Sequence, residues 1–467
     1  MVPYALCVDS TDANWQCSGT DAALQDPAAC SVFKRAGESF VQRVTGKAYD
    51  GSSNAACSLP TTPNYRQDGL VLASAVIAPS GANAGLLSTT SVNVGSGGLG
   101  SVAQAQSEVG IFRLTATPPT GAYFGQTAPT GQNNFGRFIP AGFTVSGQAL
   151  TNRVAAACSS VSTFSYLGEA VGVGFTLQAV NLNGAITGNY RGNYARLNLA
   201  PVTGAGSNGL AFGAQSGGSL LNSRLSSSCT SCAAFVSGSS AIQARLSVLR
   251  ATGSQIDGPF DSASFGLVAT DADSVGMRGP DFNWDLAGAP EGVALGSTRL
   301  VFGRLQVGNT YGSALLPLPV TARAQMWNGS TFIDHGADSC TPFQVPATVS
   351  VNSSNTATLA CNGGVGLYGS LAGVNASVGA TAAGGTVKLS GGASTLRLSP
   401  PTNTGGGYLD LVLAAPDYLK YNVDGVDQSL PGCTTPGDGY LHDDNPRARI
   451  RFGVKTNSGV IHQREIY

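Results

Sequence analysis

Charge is what this 467-residue sequence has least of: 11% of its residues are Asp, Glu, Lys or Arg, against about 25% in an ordinary globular protein. The formal net charge is −1 and the Lys and Arg residues are scattered, so there is no electrostatic footprint for nucleic acid or an anionic lipid surface. Residues 339–387 carry no charged side chain at all. Even so, Gly, Ser, Asn and Thr interrupt that stretch too often for a helix that must bury about 20 apolar residues in lipid, and no membrane span is expected. Met1 is followed by a short mixed segment holding Cys7 and Asp9, not by basic residues and an apolar run. No signal peptide is read there, and the chain is expected to be a mature form or a fragment of something longer. Almost nothing has a 3.6-residue apolar period, which excludes helix bundles.

Catalytic constellations are missing too. Hydrolysis of the triad type needs a nucleophile beside a His and an orienting carboxylate, and the three histidines stand at 335, 442 and 462. His335 has Asp334 beside it and Ser339 close by, but neighbours in an extended chain point to opposite faces. There is no GxSxG elbow and no HExxH, so neither enzymatic activity nor a cofactor is expected. Asp271 and Asp273, with Asp281 and Asp285 nearby, are the weak candidates for calcium, which takes six to eight oxygen ligands. Their spacing is not that of an EF-hand, and Asp is an ordinary turn residue, so a structural turn is the expected reading. The same holds for Asp438, Asp443 and Asp444 with His442. Three tryptophans, Trp15, Trp284 and Trp327, are the candidate sugar-stacking platforms, against the commoner role of such rings as core or strand-pair filler.

What the sequence has is glycine, 63 residues, with Ser, Thr and Asn, the composition of short strands joined by many turns. Ten cysteines stand at Cys7, Cys17, Cys30, Cys57, Cys158, Cys229, Cys232, Cys340, Cys361 and Cys433. Zinc needs paired close ligands, and only Cys229 and Cys232 form a CxxC, so disulfides in an oxidising, extracellular compartment are expected. By locality the pairs are Cys7 with Cys17, Cys30 with Cys57, Cys340 with Cys361 and Cys229 with Cys232. That leaves Cys158 with Cys433, and the CxxC cysteines are the alternative partners.

Two segments repeat. Phe33-Lys34-Arg35-Ala36-Gly37-Glu38, running on to Asp50, matches Phe164-Ser165-Tyr166-Leu167-Gly168-Glu169, running on to Asn181, at a constant offset of 131 residues. Thr62-Pro63-Asn64-Tyr65-Arg66 then matches Thr187-Gly188-Asn189-Tyr190-Arg191 at an offset of 125, so the first copy holds an insertion that includes Cys57. Phe175, Leu177 and Ala179 alternate with Thr176, Gln178 and Val180, the period of a strand with one buried face. The fold class is therefore all-β: tandem Ig-like antiparallel β-sandwiches, disulfide-braced. Modules are expected at 1–145, 146–255 (the repeat of the first), 256–345 and 346–467, with the Gly/Ser-rich stretch from about 201 to 240 as a long loop or flexible joint.

At Thr298-Arg299-Leu300-Val301-Phe302-Gly303-Arg304-Leu305, then Asn309-Thr310-Tyr311-Gly312-Ser313 and Leu315-Leu316-Pro317-Leu318-Pro319-Val320, the chain resembles the C-terminal region of the MshQ-like proteins. That family is linked to the mannose-sensitive haemagglutinin class of type IV pili. Gly136-Arg137-Phe138, Phe164 to Glu169, Gly258 to Asp261, Ala269 to Asp273, Trp327-Asn328-Gly329, Asp338-Ser339-Cys340-Thr341, Pro446 to Arg449 and Phe452-Gly453-Val454 agree in order. The region is a domain of unknown function, and a counterpart of the upstream lectin-like sandwich of many members is not expected within this sequence. The resemblance implies an extracellular structural or adhesion protein of a pilus or surface assembly. Its partners would be other surface or pilus proteins, with self-assembly into a filament and glycan binding as the alternatives.

Overall fold

The structure is a computed structural model that describes residues 2–51, 55–121, 125–154, 158, 162–251, 255–347, 365–402, 406–421 and 445–453. Among the described residues there are thirty strands, a few single-turn 3-10 segments and no α-helix. The alternation read in the sequence is the alternation of burial: in the strand Val171–Val180, Val171, Val173, Phe175, Leu177 and Ala179 are buried and the residues between them are half-exposed. This strand lies antiparallel to Ser239–Val248, with Phe175 opposite Ile242, so two buried faces align.

The strands assemble into three sandwiches. In the first, a sheet of Ala5–Asp9, Ser39–Lys47 and Leu99–Ala105 faces a sheet of Val32–Arg35, Gly131–Ile139, Gly110–Thr117, Gln67–Ala78 and Ser91–Val94. In the second, Leu225–Cys232, Ser239–Val248, Val171–Val180 and Gly142–Thr151 face Phe164–Tyr166, Val293–Val301, Phe260–Thr270, Gly209–Ser216 and Pro201–Val202. The third pairs Gly303–Val307, Leu318–Trp327, Ala393–Leu398 and Ala376–Val378 with Thr310–Gly312, Arg447–Phe452, Gly407–Val412 and Gly366–Gly369. Each closes in the same way, a short early strand lying parallel to a late one: Val32–Arg35 on Gly131–Ile139, Phe164–Tyr166 on Val293–Val301, and Thr310–Gly312 on Arg447–Phe452. Apart from one further parallel pair, Pro201–Val202 on Gly209–Ser216, the named strands of the three sandwiches pair antiparallel, and the shared closure makes the three units topological repeats, with the Phe33 and Phe164 segments as equivalent elements. After each, a glycine with φ of +86° turns the chain, and the next residue, Glu38 or Glu169, takes the backbone N–H of Arg35 or Tyr166 on its carboxylate.

The boundaries expected at 255 and 345 fall inside sandwiches. Phe260–Thr270 is paired with Gly209–Ser216 from Ser264 to Thr270, so it completes the second unit and does not open a third. The Asp257-Gly258-Pro259 turn punctuates strands within a module, and turn chemistry alone cannot tell an internal corner from a joint. The glycine-rich stretch is likewise sheet, not a joint. Its glycine at 213 and the glycine at 266 lie under aromatic rings: a Cβ would stand 2.7 Å from the Trp284 ring at the first and 2.2 Å from the Phe282 ring at the second.

Among the described residues there are four disulfides, Cys7–Cys57, Cys17–Cys30, Cys158–Cys340 and Cys229–Cys232. Only Cys229 with Cys232 agrees with pairing by locality. Cys7 sits on Ala5–Asp9 and pairs across Ser39–Lys47 with Cys57 of the insertion, which returns along Lys47 through a bridge to Thr61. Cys17 and Cys30 close the segment around the buried Leu24. Cys340 takes Cys158, 182 residues away, in place of Cys361, and thereby removes Cys158 from Cys433. Cys361 and Cys433 lie outside the described residues. Strand pairing, not closeness in sequence, sets which cysteines meet.

Candidate functional site

The polar chemistry of the chain gathers where sandwiches meet. At the second junction, Gly142–Thr151 ends and Arg153, at φ +54°, turns inward with its N–H on the Ser165 hydroxyl, 3.0 Å. Its guanidinium reaches Glu169 through Nε (3.2 and 3.3 Å), Asp338 Oδ1 through Nη1 (2.8 Å) and Thr341 Oγ1 through Nη2 (2.6 Å). The Phe164 and Tyr166 ring centroids each lie 4.9 Å from its central carbon. Arg153, Glu169 and Asp338 are 1%, 1% and 0% exposed. Asp338 Oδ1 also takes the N–H groups of Cys340 and Thr341, and Oδ2 takes the Thr341 and Tyr166 hydroxyls.

Because Tyr166 donates to Asp338, it offers a lone pair to His335 Nδ1 at 2.8 Å. Nδ1 is therefore the protonated nitrogen of a neutral ring. Burial, only partly offset by the Asp338 charge, pulls the His335 pKa down to about 4. Burial also pushes the Glu169 carboxyl upward, against the pull of Arg153. For Asp338 burial is outweighed by Arg153 and by the donated hydrogen bonds, and the net direction is down. The Tyr418 ring stacks on Tyr166 with centroids 5.7 Å apart, closing the cluster. The hydrogen bonds run from Arg153 and Tyr166 of the second sandwich to His335, Asp338 and Thr341 of the third, so the cluster joins the two units.

The first junction is built on the same plan. Arg137 of Gly131–Ile139 holds Asp273 through both Nη atoms at 2.5 and 2.8 Å, and Arg196 approaches the same carboxylate at 3.4 Å. Asp271 takes the N–H groups of Asp273 and Val275 and the Tyr190 hydroxyl. Glu108 of the first unit accepts the N–H groups of Gly188 and Asn189 of the second, and the Tyr194 hydroxyl donates to Leu24 O at 2.7 Å.

The structure thus places the calcium candidates Asp271 and Asp273 at a junction, engaged by protein donors. Asp285 accepts the N–H of Ala287 in a local turn, and Asp281 accepts that of Ala294 at the start of Val293–Val301. Asp334 lies on the exposed side paired with Arg323, Ser339 takes the Gly391 N–H, and His335 faces inward, so these three do not converge. Trp15 packs on Phe135 and Trp327 on Phe332, both half-buried, while Trp284 covers the glycine at 213. Asp438, His442, Asp443, Asp444 and His462 lie outside the described residues. Arg153, Arg137, Glu108 and Asp338 were not singled out as site residues by sequence, yet Arg137, Glu169, Asp273 and Asp338 all lie in segments that carry the resemblance.

Three family models match in succession: DUF6701 second domain over residues 2–105, third domain over 108–295 and fourth domain over 301–466. The chain belongs to the DUF6701 family. The family division at 105/108 falls inside the first sandwich, which still has Gly110–Thr117 and Gly131–Ile139 to come, whereas that at 295/301 falls in Val293–Val301, close to where the third sandwich begins at Gly303–Val307. No functionally curated protein matches the chain. Among solved structures, the bacterial integrin-binding protein invasin is 9% identical over 88% of this chain and 57% of its own, with a TM-score of 0.23. A three-Ig fragment of titin is 9% identical over 97% of this chain and all of its own, at 0.25. An intimin fragment is 10% identical over 60% of this chain and 97% of its own, at 0.17. The DUF6701 chain spans a little over half the length of the invasin structure. Its Ig-like architecture is read from its own strand topology.

Proposed function

We propose that this DUF6701 chain is an extracellular structural protein of the adhesion type, a stiff unit that sets the spacing and orientation of surfaces in a bacterial cell-surface assembly. The observation that carries the reading is the pair of buried junction networks, Arg137–Asp273 and Arg153–Glu169–Asp338, each spanning two sandwiches. A linker that must flex has exposed, weakly packed junctions; here the core of the second sandwich runs on into Leu24, Ile77 and Val109 of the first. The four disulfides support an oxidising compartment. The resemblance to MshQ-like proteins supports a place in a type IV pilus pathway of the mannose-sensitive haemagglutinin class.

The test is a deletion of the gene in its native host, complemented with an epitope-tagged chain. Whole-cell antibody labelling of the tag, with loss of adhesion or of surface pili on deletion, is the expected result. A tag reachable only after lysis, with reduced cysteines, overturns the location. Surface labelling with unchanged pili and adhesion overturns the assembly role.

A further inference from the structure

Three of the four disulfides have at least one sulfur in a core: Cys7, Cys17, Cys30 and Cys340 are buried. Cys229–Cys232 differs. Both residues are half-exposed and stand on Leu225–Cys232, the end strand of its sheet, which pairs with Ser239–Val248 alone. Cys232 packs against the core of the second sandwich, whereas Cys229 is outside it.

The bond has a geometric consequence for this strand. Residues three apart in a regular strand stand about 10 Å apart, with side chains on opposite faces, and a disulfide does not reach beyond about 7 Å between Cα atoms. Here the Cα atoms are 6.1 Å apart. The register explains how: Cys229 lies opposite Ala244 and Ser231 opposite Gln243, so Thr230 is an extra residue in a bulge. At the bulge the Gln243 carbonyl takes the Thr230 hydroxyl at 3.0 Å. The Cys229 sulfur lies 3.6 Å from that same carbonyl oxygen. The disulfide therefore requires the bulge, and a bulge on an edge strand is a device that blocks strand addition.

We propose that Cys229–Cys232 is a thiol–disulfide exchange site, open to small thiols or to a protein dithiol, and that its reduction releases the bulge in this edge strand. A thiolate attacks Cys229 Sγ, the sulfur outside the core. The new sulfur–sulfur bond forms as the Cys229–Cys232 bond breaks, and the electron pair leaves on Cys232 Sγ, which takes a proton from water. A second thiolate attacks the incoming sulfur of the mixed disulfide, releasing Cys229 as a thiolate and the two reductant sulfurs as their own disulfide. Two thiols are oxidised and one protein disulfide is reduced. Selectivity follows from access and from loop length: the bond closes a separation of 3 residues, against 13, 50 and 182 for the others, so it adds least to stability in the chain-entropy model.

The experiment is graded reduction of the folded full chain in glutathione buffers, quenched with an alkylating agent and mapped by peptide mass spectrometry. Labelling of Cys229 and Cys232 at roughly one-tenth or less of the thiol concentration needed for Cys7, Cys17, Cys30, Cys57, Cys158 and Cys340 is expected. Amide hydrogen exchange of residues 225–232 should change on this reduction, and the same change should appear in the Cys229→Ser/Cys232→Ser double variant without reductant. Reduction of Cys229 and Cys232 together with the six others, or only on unfolding, overturns the exchange site. Selective reduction with exchange identical in all three states overturns the release of the bulge.

Discussion

Arg153 and Asp338 stand 185 residues apart in the chain and 2.8 Å apart in space, with neither side chain more than 1% exposed. The contact joins the end of a strand in the second sandwich to a turn in the third, and it is surrounded by Glu169, Tyr166 and Thr341. A buried pair of this kind is weak as a source of net stability but costly to break, because removing one member strands the other charge. Its value lies in specifying one arrangement of two units.

Arg153→Met is therefore expected to cost about 3–5 kcal/mol, since Glu169 and Asp338 remain buried without their cation. Adding Glu169→Gln and Asp338→Asn removes both stranded charges, so the triple variant should unfold at higher denaturant than the single one. Chemical denaturation followed by fluorescence measures both. A loss below about 1 kcal/mol for Arg153→Met would place the network among ordinary surface pairs.

His335 gives the same site a pH dependence. Its folded pKa of about 4 lies below the unfolded value of 6.5, so on acidification the unfolded chain binds a proton that the folded chain refuses. The stability concerned is complete above pH 6.5 and is lost as pH falls toward 4, about 2–3 kcal/mol between pH 7 and 4.5. Glu169 beside it works in the opposite sense: its folded pKa is raised, so its contribution is present at low pH and lost as pH rises. Comparison of the native chain with His335→Gln separates the two. The difference in their stabilities should shrink or reverse on going from pH 7 to pH 4.5, and a constant difference would exclude His335 as the titrating group.

The sandwich strands were legible because period-two burial is local: Val171 to Ala179 show it in nine residues. The repeated turn was legible for the same reason, since Gly168 and Glu169 act within a few residues of each other. Module boundaries were not, because the Gly258-Pro259 corner has the same composition whether the next strand stays in the sheet or leaves it. The junction sites were legible only as fragments. Glu169 and Asp338 each appear only within separate segments that carry the resemblance, and nothing short of the folded topology brings Arg153 between them. Cysteine pairing failed at Cys7, Cys17, Cys30 and Cys57 because the insertion carrying Cys57 returns beside Ala5–Asp9, which no count of spacings reveals.

Cys158–Cys340 closes 182 residues between cysteines whose Cα atoms lie 5.3 Å apart, across the same junction as Arg153 and Asp338. In the chain-entropy model so long a loop is worth on the order of 5 kcal/mol. Cys158→Ser with Cys340→Ser is expected to lower the unfolding midpoint more than Cys229→Ser with Cys232→Ser does. Peptide mapping under non-reducing conditions checks the pairing itself, and recovery of Cys7 linked to Cys17 would contradict it.

Tyr166 is also held by what it rests on. A Cβ at the glycine in position 303 would lie 2.3 Å from Tyr166 Cδ1 and 2.6 Å from Leu419 Cδ2. Neither neighbour can retreat without disturbing the stack on Tyr418 or the hydroxyl contacts to His335 and Asp338. Gly303→Ala should therefore cost about 1–3 kcal/mol by overpacking and alter the tyrosine signal in near-ultraviolet circular dichroism. An unchanged spectrum with native stability would mean that the ring moves freely, and that the junction is looser than its contacts imply.

Asp273 offers the matching test at the other junction. Its carboxylate is shared by Arg137 and Arg196, and Arg137 also donates to Cys30 O at 3.3 Å, so one side chain ties the second sandwich to the Cys17–Cys30 segment of the first. Asp273→Asn keeps the shape but removes the charge that two guanidinium groups face, at a cost of about 3 kcal/mol for a buried pair broken on one side. Hydrogen exchange should rise around Leu24, Cys30 and Asp273 while the strands remote from the junction stay protected. Because Arg137 and Arg196 already occupy the Asp273 carboxylate, and Tyr190 with two backbone N–H groups occupies that of Asp271, added calcium or a chelator should leave the thermal midpoint of the native chain unchanged. A midpoint that rises with calcium, and fails to do so in Asp273→Asn, would instead make this carboxylate a metal ligand that the arginines only shadow.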